Sequence, residues 1–163
     1  MDRQDYTATI WVEQSPEEVF EAVKNFRAWW SEEIEGDTGK LNEVFFYHFK
    51  DTHLCKIKLI ELVPGKELVY HLVDNQFSFT NDKSELTNTK LIFTISSEGG
   101  KTKLLFTHEG LVSDYECYKI CCDAWSKHIE NSLFDLITFG KGHPTPKEED
   151  GFNSEIVKKW KSK

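Results

Sequence analysis

The 163-residue chain has little positive charge and no long apolar segment. It contains 20 lysine and arginine residues against 28 aspartate and glutamate residues, for a formal net charge of −8. Nucleic-acid phosphates and anionic bilayers both attract basic surfaces, so this balance predicts neither a nucleic-acid nor a membrane partner. Because there is neither a signal peptide nor an apolar run of membrane-spanning length, we expect a cytoplasmic protein.

Cysteine is scarce, and the four cysteines lack the paired spacing of a zinc site. Cys121 and Cys122 are adjacent and therefore point in different directions on a helix. This pattern predicts four reduced thiols in a reducing compartment. Cys117 and Cys121 have the i, i+4 spacing that could bind a metal together with a histidine from a sheet, but the interpretation as small core residues is favoured.

Proline and internal glycine are missing from the run Ser113–Gly140, which is therefore predicted to be one long helix. Ser113 or Asp114 is expected to cap its start, and Gly140 to end it. Apolar residues at steps of three and four form one stripe along it: Tyr118, Cys121, Cys122, Trp125, Ile129, Leu133, Leu136 and Ile137.

The residues before this helix alternate as strands do. A first strand, Tyr6–Glu13, is followed by Ser15-Pro16-Glu17-Glu18, which is typical of a helix start, and Phe26–Trp30 indicates a second short helical turn. Asn75–Thr87 is predicted to be a long loop. The later strands are expected at Glu43–Phe49, Thr52–Val63, Lys66–Val73, Thr89–Ser97 and Lys101–Glu109. This order predicts an α+β domain with an antiparallel sheet.

Several segments together resemble one known superfamily. They are "SPEEVFEAV" after a strand, then "WW", "ELVPGKELVYHL", "GGKTKLLFTHEGL" and "AWSKHIENSLFDLI" in the long helix. Their order is similar to that of the SRPBCC superfamily of START-like, birch-pollen-allergen-like domains, and in particular to its branch of activator of heat-shock-protein-90 ATPase homologues. The resemblance covers about residues 6–140.

The resemblance implies a helix-grip fold: a curved antiparallel sheet of about seven strands around the long C-terminal helix, with two short helices after strand 1. A domain of residues 1–142 and a charged tail of residues 143–163, which could dock as a short helix, are expected. Relatives hold lipids, sterols, polyketides or plant hormones between sheet and helix, others bind a chaperone, and a few are cyclases. Because the chain has no counterpart of the extra N-terminal domain of full eukaryotic activators, we expect no strong stimulation of a chaperone ATPase.

Aromatic residues make up 13% of the chain and supply the candidate ligand-binding residues. Trp29 and Trp30 lie where the second short helix should border the cavity. Trp125 is interpreted as central core or as the cavity floor. Tyr70 and His108 are candidate polar anchors. The predicted ligand-binding residues are Trp29, Trp30, Phe46, Tyr70, Leu72, Phe93, Phe106, His108, Trp125 and Leu133.

No catalytic residue, metal site or cofactor is predicted. His108 is either an anchor, a general base or a buried structural histidine, and neighbouring Glu109 should point to the opposite sheet face. His48 and His53 would sit opposite each other across a two-residue turn, but two ligands do not make a site. Binding of a small, mainly apolar molecule is therefore ranked first, a protein-interaction module of chaperone-regulator type second, and catalysis of cyclase or hydrolase type third.

Overall fold

Seven strands form one antiparallel sheet in the order β1-β7-β6-β5-β4-β3-β2. A computed structural model of the protein describes residues 5–148, 152 and 155–162. The strands are β1 (Tyr6–Val12), β2 (Ile34–Glu35), β3 (Val44–Phe49), β4 (His53–Val63), β5 (Glu67–Phe77), β6 (Lys90–Glu98) and β7 (Lys101–Glu109). The predicted fold class is confirmed: the sheet curves around a long C-terminal helix, and short helices follow β1.

Two short helices, α1 (Pro16–Lys24) and α2 (Phe26–Trp29), close one end of the sheet. The Ser15 hydroxyl accepts a hydrogen bond of 3.2 Å from the backbone N–H of Glu18, as the sequence predicts. The inward face of α1 buries Val19, Phe20 and Val23. The helix start could be predicted because every contact that caps it is local.

The long helix consists of α3 (Tyr118–Ser126), a π-helical turn (Lys127–Leu133) and α4 (Phe134–Phe139). Gly140 ends it in the left-handed conformation, with φ of +84°, as predicted. The predicted start at Ser113 is wrong, because residues 113–117 form turns.

The π-helical turn fits the spacing of the apolar stripe. Trp125, Ile129, Leu133 and Ile137 follow one another at steps of four, and all are buried. In an α-helix each step of four overshoots a full turn by about 40°, so such a stripe drifts around the helix. A wider π-helical turn offsets this drift. The four side chains therefore face the sheet together.

A β-bulge in β5 changes which of its residues face inward. Lys56 of β4 pairs with Asp74, whereas the next residue, Ile57, pairs with Leu72. Val73 is left over and is 39% exposed. Because the bulge shifts the alternation by one residue, Asn75 and Phe77 point to the same side as Leu72.

The core between sheet and helices is packed with aromatic rings around Phe26 of α2. The ring of Phe26 lies 4.9 Å from Trp29 and 4.9 Å from Tyr70, measured between centroids. Phe93 and Phe106 continue this cluster, with their centroids 5.0 Å apart. These rings contact one another closely and fill this end of the space between sheet and helix.

The chain after Gly140 folds back along α2 and β2. The backbone N–H of Thr145 donates to the carbonyl of Trp30, and the carbonyl of Thr145 accepts from the N–H of Glu32. A last helix, α5 (Glu155–Lys161), buries Val157 and Trp160 against Leu54, on the outer side of the sheet. In the part of the chain that the structure describes, no helix has the length and apolar character needed to cross a membrane.

Candidate functional site

A pocket of about 470 Å³ lies beside the aromatic core. It opens where the β3–β4 turn, the loop between β5 and β6, and the start of α3 meet. The sheet contributes His53, Cys55 and Leu72 to its wall, while Cys121, Ala124 and His128 face it from the long helix. This volume is within the usual range for small-molecule sites.

Three aromatic side chains separate the pocket from the core. Trp30 stacks on Tyr47 with centroids 4.3 Å apart, and its ring lies 5.3 Å from that of Trp125. Trp125 in turn contacts Phe106 of the core at 4.7 Å. The pocket therefore has a rigid aromatic wall, because these rings are held from behind by other rings.

His108 is fully hydrogen-bonded within the wall. The indole N–H of Trp125 donates to His108 Nδ1 at 3.0 Å. Nε2 must therefore carry the ring proton, and it donates to the Thr89 hydroxyl at 2.8 Å. The Thr89 hydroxyl passes its own proton to the carbonyl of Leu86 at 2.6 Å. Burial lowers the pKa of His108 to about 3, with a smaller contribution from His53.

With both ring nitrogens occupied, His108 has no free nitrogen to act as a general base. Glu109, its neighbour, is exposed at the opposite face. His108 is therefore a buried structural histidine whose ring forms part of the pocket wall.

His53 belongs to a second hydrogen-bond network in the pocket. The side-chain amide of Asn75 donates to the carbonyl of Glu85 at 2.8 Å, so its oxygen is the acceptor for His53 Nε2 at 2.7 Å. Nδ1 of the neutral ring is then left as an acceptor. Burial lowers the pKa of His53 to about 4, and the hydrogen bond to Asn75 opposes this shift.

His128 lies on the π-helical turn and also lines the pocket. Its ring is 6.4 Å from Trp30 and 6.3 Å from Trp125. Burial, followed by the charge of Lys127, lowers the pKa of His128 to about 4. All three histidines are therefore neutral at pH 7, and they give the pocket hydrogen-bonding groups without charge.

The pocket rim is apolar and includes a strained backbone position. Phe49, Phe79 and Ile120 line the pocket and are 37%, 43% and 59% exposed. Leu86 is buried in the wall with φ of +71°, which is unusual for a leucine. Such strain persists only where surrounding contacts hold it, and it is most frequent at functional sites.

Four of the predicted ligand-binding residues line this pocket: Trp30, Leu72, His108 and Trp125. Five others, Trp29, Tyr70, Phe93, Phe106 and Leu133, are completely buried in the packed core. Tyr70 illustrates the difference, because its hydroxyl donates to the backbone carbonyl of Thr38 at 2.8 Å. It is satisfied by the chain itself and does not point into the pocket as an anchor.

The predicted inward orientation of Phe46 is wrong. Phe45 and Tyr47 of β3 face inward, so Phe46 lies on the outer side of the sheet, where its ring is 5.9 Å from Trp160 of α5. The tail covers this side of the sheet, so outward-facing residues of β3 can also be apolar. An apolar residue at this position therefore does not indicate that it faces the inner side.

His48 and His53 do not lie opposite each other, because the two-residue turn on which that arrangement depended is not formed. Phe49, not His48, pairs with His53, so the turn contains three residues. This shift of one position puts His53 on the inner face and His48 on the outer face. The two histidines cannot share a ligand.

Sequence reasoning missed His53, Asn75, Phe77, Leu86 and His128 as pocket residues. Asn75 and Phe77 come after the bulge, where simple alternation no longer applies. His128 lies beside the apolar stripe, one helical turn after Ala124, which also lines the pocket. One signal could have indicated the pocket: Asn75 and His53 are polar residues at inward positions that are otherwise apolar.

The fold and the pocket together define a helix-grip domain of the SRPBCC type. The family model described as activator of Hsp90 ATPase homolog 1-like protein matches residues 13–137, so the chain belongs to this family and the resemblance seen in the sequence is confirmed. No curated protein matches the sequence.

Solved structures with the same fold share little sequence with this chain. The Aha1 dimer from Colwellia psychrerythraea has a TM-score of 0.67 at 22% identity, with 85% of this chain and 99% of that chain covered. DynU16, a putative protein in the dynemicin biosynthetic locus, has a TM-score of 0.64 at 14% identity, with 85% of this chain and 48% of that chain covered. Protein Mll3558 from Rhizobium loti has a TM-score of 0.64 at 16% identity, with 79% of this chain and 94% of that chain covered. At these identities the likeness is one of fold alone.

Proposed function

We propose that the protein binds a small, uncharged and mainly aromatic molecule in the pocket between the sheet and the long helix. The observation that carries this proposal is a pocket of about 470 Å³ with rigid aromatic walls and neutral histidines. A flat ligand would lie against Trp30 and Trp125.

The polar groups of the pocket favour a phenol or carbonyl over a carboxylate. His53 keeps Nδ1 as an acceptor, and the ring of His128 has no hydrogen-bond partner among the described residues. Because both rings are neutral, they offer hydrogen bonds but no positive charge to an anion. A ligand hydroxyl group could donate to either ring.

The test is a titration of the protein with flavonoid-like aromatics, sterols and fatty acids, followed by tryptophan fluorescence and thermal shift. Trp30 and Trp125 line the pocket, so a bound aromatic compound should quench their emission. We expect micromolar affinity for the uncharged aromatic class, since burial of its apolar surface offsets the freedom lost on binding.

Two neighbouring cysteines provide a matched pair of variants. Cys121 lines the pocket, whereas Cys122 lies next to it on the helix outside the lining. Cys121→Phe should fill the pocket and weaken binding at least about tenfold, while Cys122→Phe should leave it unchanged. If no compound changes either signal, or if both variants bind equally well, the proposal fails.

A second candidate is a protein-interaction module of chaperone-regulator type. The exposed rim of Phe49, Phe79 and Ile120 favours it, because such a group of apolar side chains can receive an apolar side chain of a partner. The family description also supports it. The test is a chaperone ATPase assay with added protein: a several-fold stimulation that Ile120→Ser abolishes would place this candidate first.

A further inference from the structure

We propose a binding site for a divalent transition metal of the zinc class, formed by Glu33, His48 and Glu148 on the outer side of the sheet. One imidazole nitrogen and one oxygen of each carboxylate all lie within 4.8 Å of one another. Glu33 precedes β2, His48 is on β3, and Glu148 belongs to the segment after the long helix. The site is separate from the pocket, since His48 is on the opposite sheet face.

His48 carries the argument because one of its nitrogens has no hydrogen-bond partner. The side chain is 1% exposed, and Nδ1 lies 3.0 Å from the carbonyl oxygen of Lys50. A carbonyl can only accept, so Nδ1 carries the proton and donates it. In the neutral ring, Nε2 is then a bare lone pair.

This lone pair points towards a buried carboxylate. Nε2 lies 3.2 Å from Oε1 of Glu33, which is itself almost completely buried. The two atoms are close, yet they are not in hydrogen-bond geometry, and Nε2 is without a partner among the described residues. Two acceptors at this distance repel unless a cation lies between or beside them.

A metal ion fits both the distances and the orientation of the ring. Ligand atoms at about 2.1 Å from a tetrahedral zinc ion are about 3.4 Å apart, close to the separation between Nε2 and Oε1. Metal-binding histidines usually donate their second N–H to a backbone carbonyl, as His48 does to Lys50. An imidazole with two carboxylates favours zinc over calcium or magnesium, which prefer oxygen ligands alone.

The second ligand shell is also ordered. Oε2 of Glu33 accepts from the backbone N–H of Glu148 at 2.9 Å, and Oε2 of Glu148 accepts from the N–H of Lys50 at 2.8 Å. Each carboxylate is held through its Oε2. Oε1 of Glu33 faces Nε2 of His48, whereas Oε2 of Glu148 lies 3.8 Å from Nδ1 of the same ring, so Glu148 would bind the metal through its other oxygen. The ion would join the tail to β2 and β3, with water completing the coordination.

The experiment uses the full chain carrying Cys121→Ser and Cys122→Ser, so that the more accessible thiols do not bind the metal. After treatment with a chelator, the protein is titrated with zinc by calorimetry. We expect one ion per chain and a higher melting temperature in its presence. Cobalt substitution should give a spectrum without a thiolate charge-transfer band.

His48→Asn is the most informative variant. The asparagine amide can replace Nδ1 as the donor to the carbonyl of Lys50, while the proposed ligand atom Nε2 is removed. Zinc affinity should fall at least about 100-fold. Glu148→Gln, at a position whose side chain is 22% exposed, should fold normally and show a similar loss. His143→Asn is the control, since His143 pairs with Asp135 at 2.6 Å on the surface and the described residues offer no third ligand there.

Absence of zinc binding by the parent protein would overturn the proposal and would leave a proton shared between His48 and Glu33 as the explanation of the contact. Binding that is equally strong in His48→Asn and Glu148→Gln would overturn it as well. If His48→Asn does not fold, Glu148→Gln alone decides between the two outcomes.

Discussion

The carboxylate of Glu85 accepts a hydrogen bond of 3.2 Å from the backbone N–H of Cys117, which is 32 residues later and directly precedes the long helix. It also accepts one of 3.0 Å from the N–H of Glu116. A buried side chain of the β5–β6 loop therefore caps the helix. The same loop contributes Phe79 and Leu86 to the pocket, so the helix start and the pocket wall are coupled.

Removing this cap should destabilise the protein. Glu85→Ala removes the acceptor of the buried Cys117 N–H and of the partly buried Glu116 N–H, and we expect the free energy of unfolding to fall by about 2 kcal/mol. Urea unfolding followed by circular dichroism measures this change. Glu98→Ala, at the exposed hairpin tip, is the control and should change it by less than about 0.5 kcal/mol. Equal effects of the two variants would refute the capping role.

Stability should decrease as the pH falls below about 6.5. His53, His108 and His128 have pKa values of about 4, 3 and 4 in the folded chain, below the ordinary value of 6.5. Between these limits the three histidines bind protons in the unfolded chain but not in the folded chain. Their contribution to stability is therefore fully present above pH 6.5 and is lost as the pH falls towards 4.

Each such histidine contributes at most about 1.4 kcal/mol per pH unit to the slope. His128→Gln should therefore reduce the dependence of unfolding free energy on pH between 6 and 4. Urea unfolding at several pH values provides the measurement. A variant with the same slope as the parent protein would show that His128 does not resist protonation in the folded state.

The tail should be held to the sheet mainly by Trp160. Its ring is buried, and its indole N–H donates to Asp74 at 2.8 Å. Trp160→Ala should cost the docked helix about 3 kcal/mol, which is enough to detach and unfold α5, so that trypsin can cleave the chain after its already exposed lysines. Ile156, which is 53% exposed on the same helix, gives the control variant Ile156→Ala. Unchanged cleavage of Trp160→Ala would count against this role.

All four cysteines are free, and they should react at different rates. Cys55 and Cys117 are buried and Cys121 and Cys122 partly so, and burial raises the pKa of the Cys55 thiol. A thiol reagent should therefore modify two groups quickly in the native protein and four in denaturant. A pocket ligand should slow Cys121 but not Cys122. Two thiols in denaturant under non-reducing conditions would indicate a disulfide.

Local patterns were sufficient to predict most of the fold. The Ser15 cap, the Gly140 stop and the alternation in β6 and β7 depend on neighbouring residues, and all are found where expected. The start of the long helix could not be predicted, because its cap comes from Glu85 in a distant loop. Sequence pattern cannot show a contact of this kind.

The candidate site could be predicted only in part. Leu72, His108 and Trp125 were identified because they alternate or repeat with the core residues, and Trp30 because the resemblance places the second short helix beside the cavity. Tyr70 and Phe93 follow the same patterns, yet they pack against Phe26 instead of lining the pocket. Whether an inward ring meets another ring or open space depends on how the elements pack, and the bulge at Val73 further changed the set of inward residues.

The π-helical turn separates two parts of the long helix: α3 borders the pocket, α4 contacts α1, and both contact β1. Deleting one residue from Lys127–Leu133 would restore an ordinary α-helix and leave the faces of α3 and α4 nearly unchanged, because the wider turn takes up about one extra residue. A related chain with an uninterrupted α-helix should therefore be one residue shorter here. Aligning the two chains correctly requires a gap inside the helix, and without that gap pocket residues of one chain would be matched to core residues of the other.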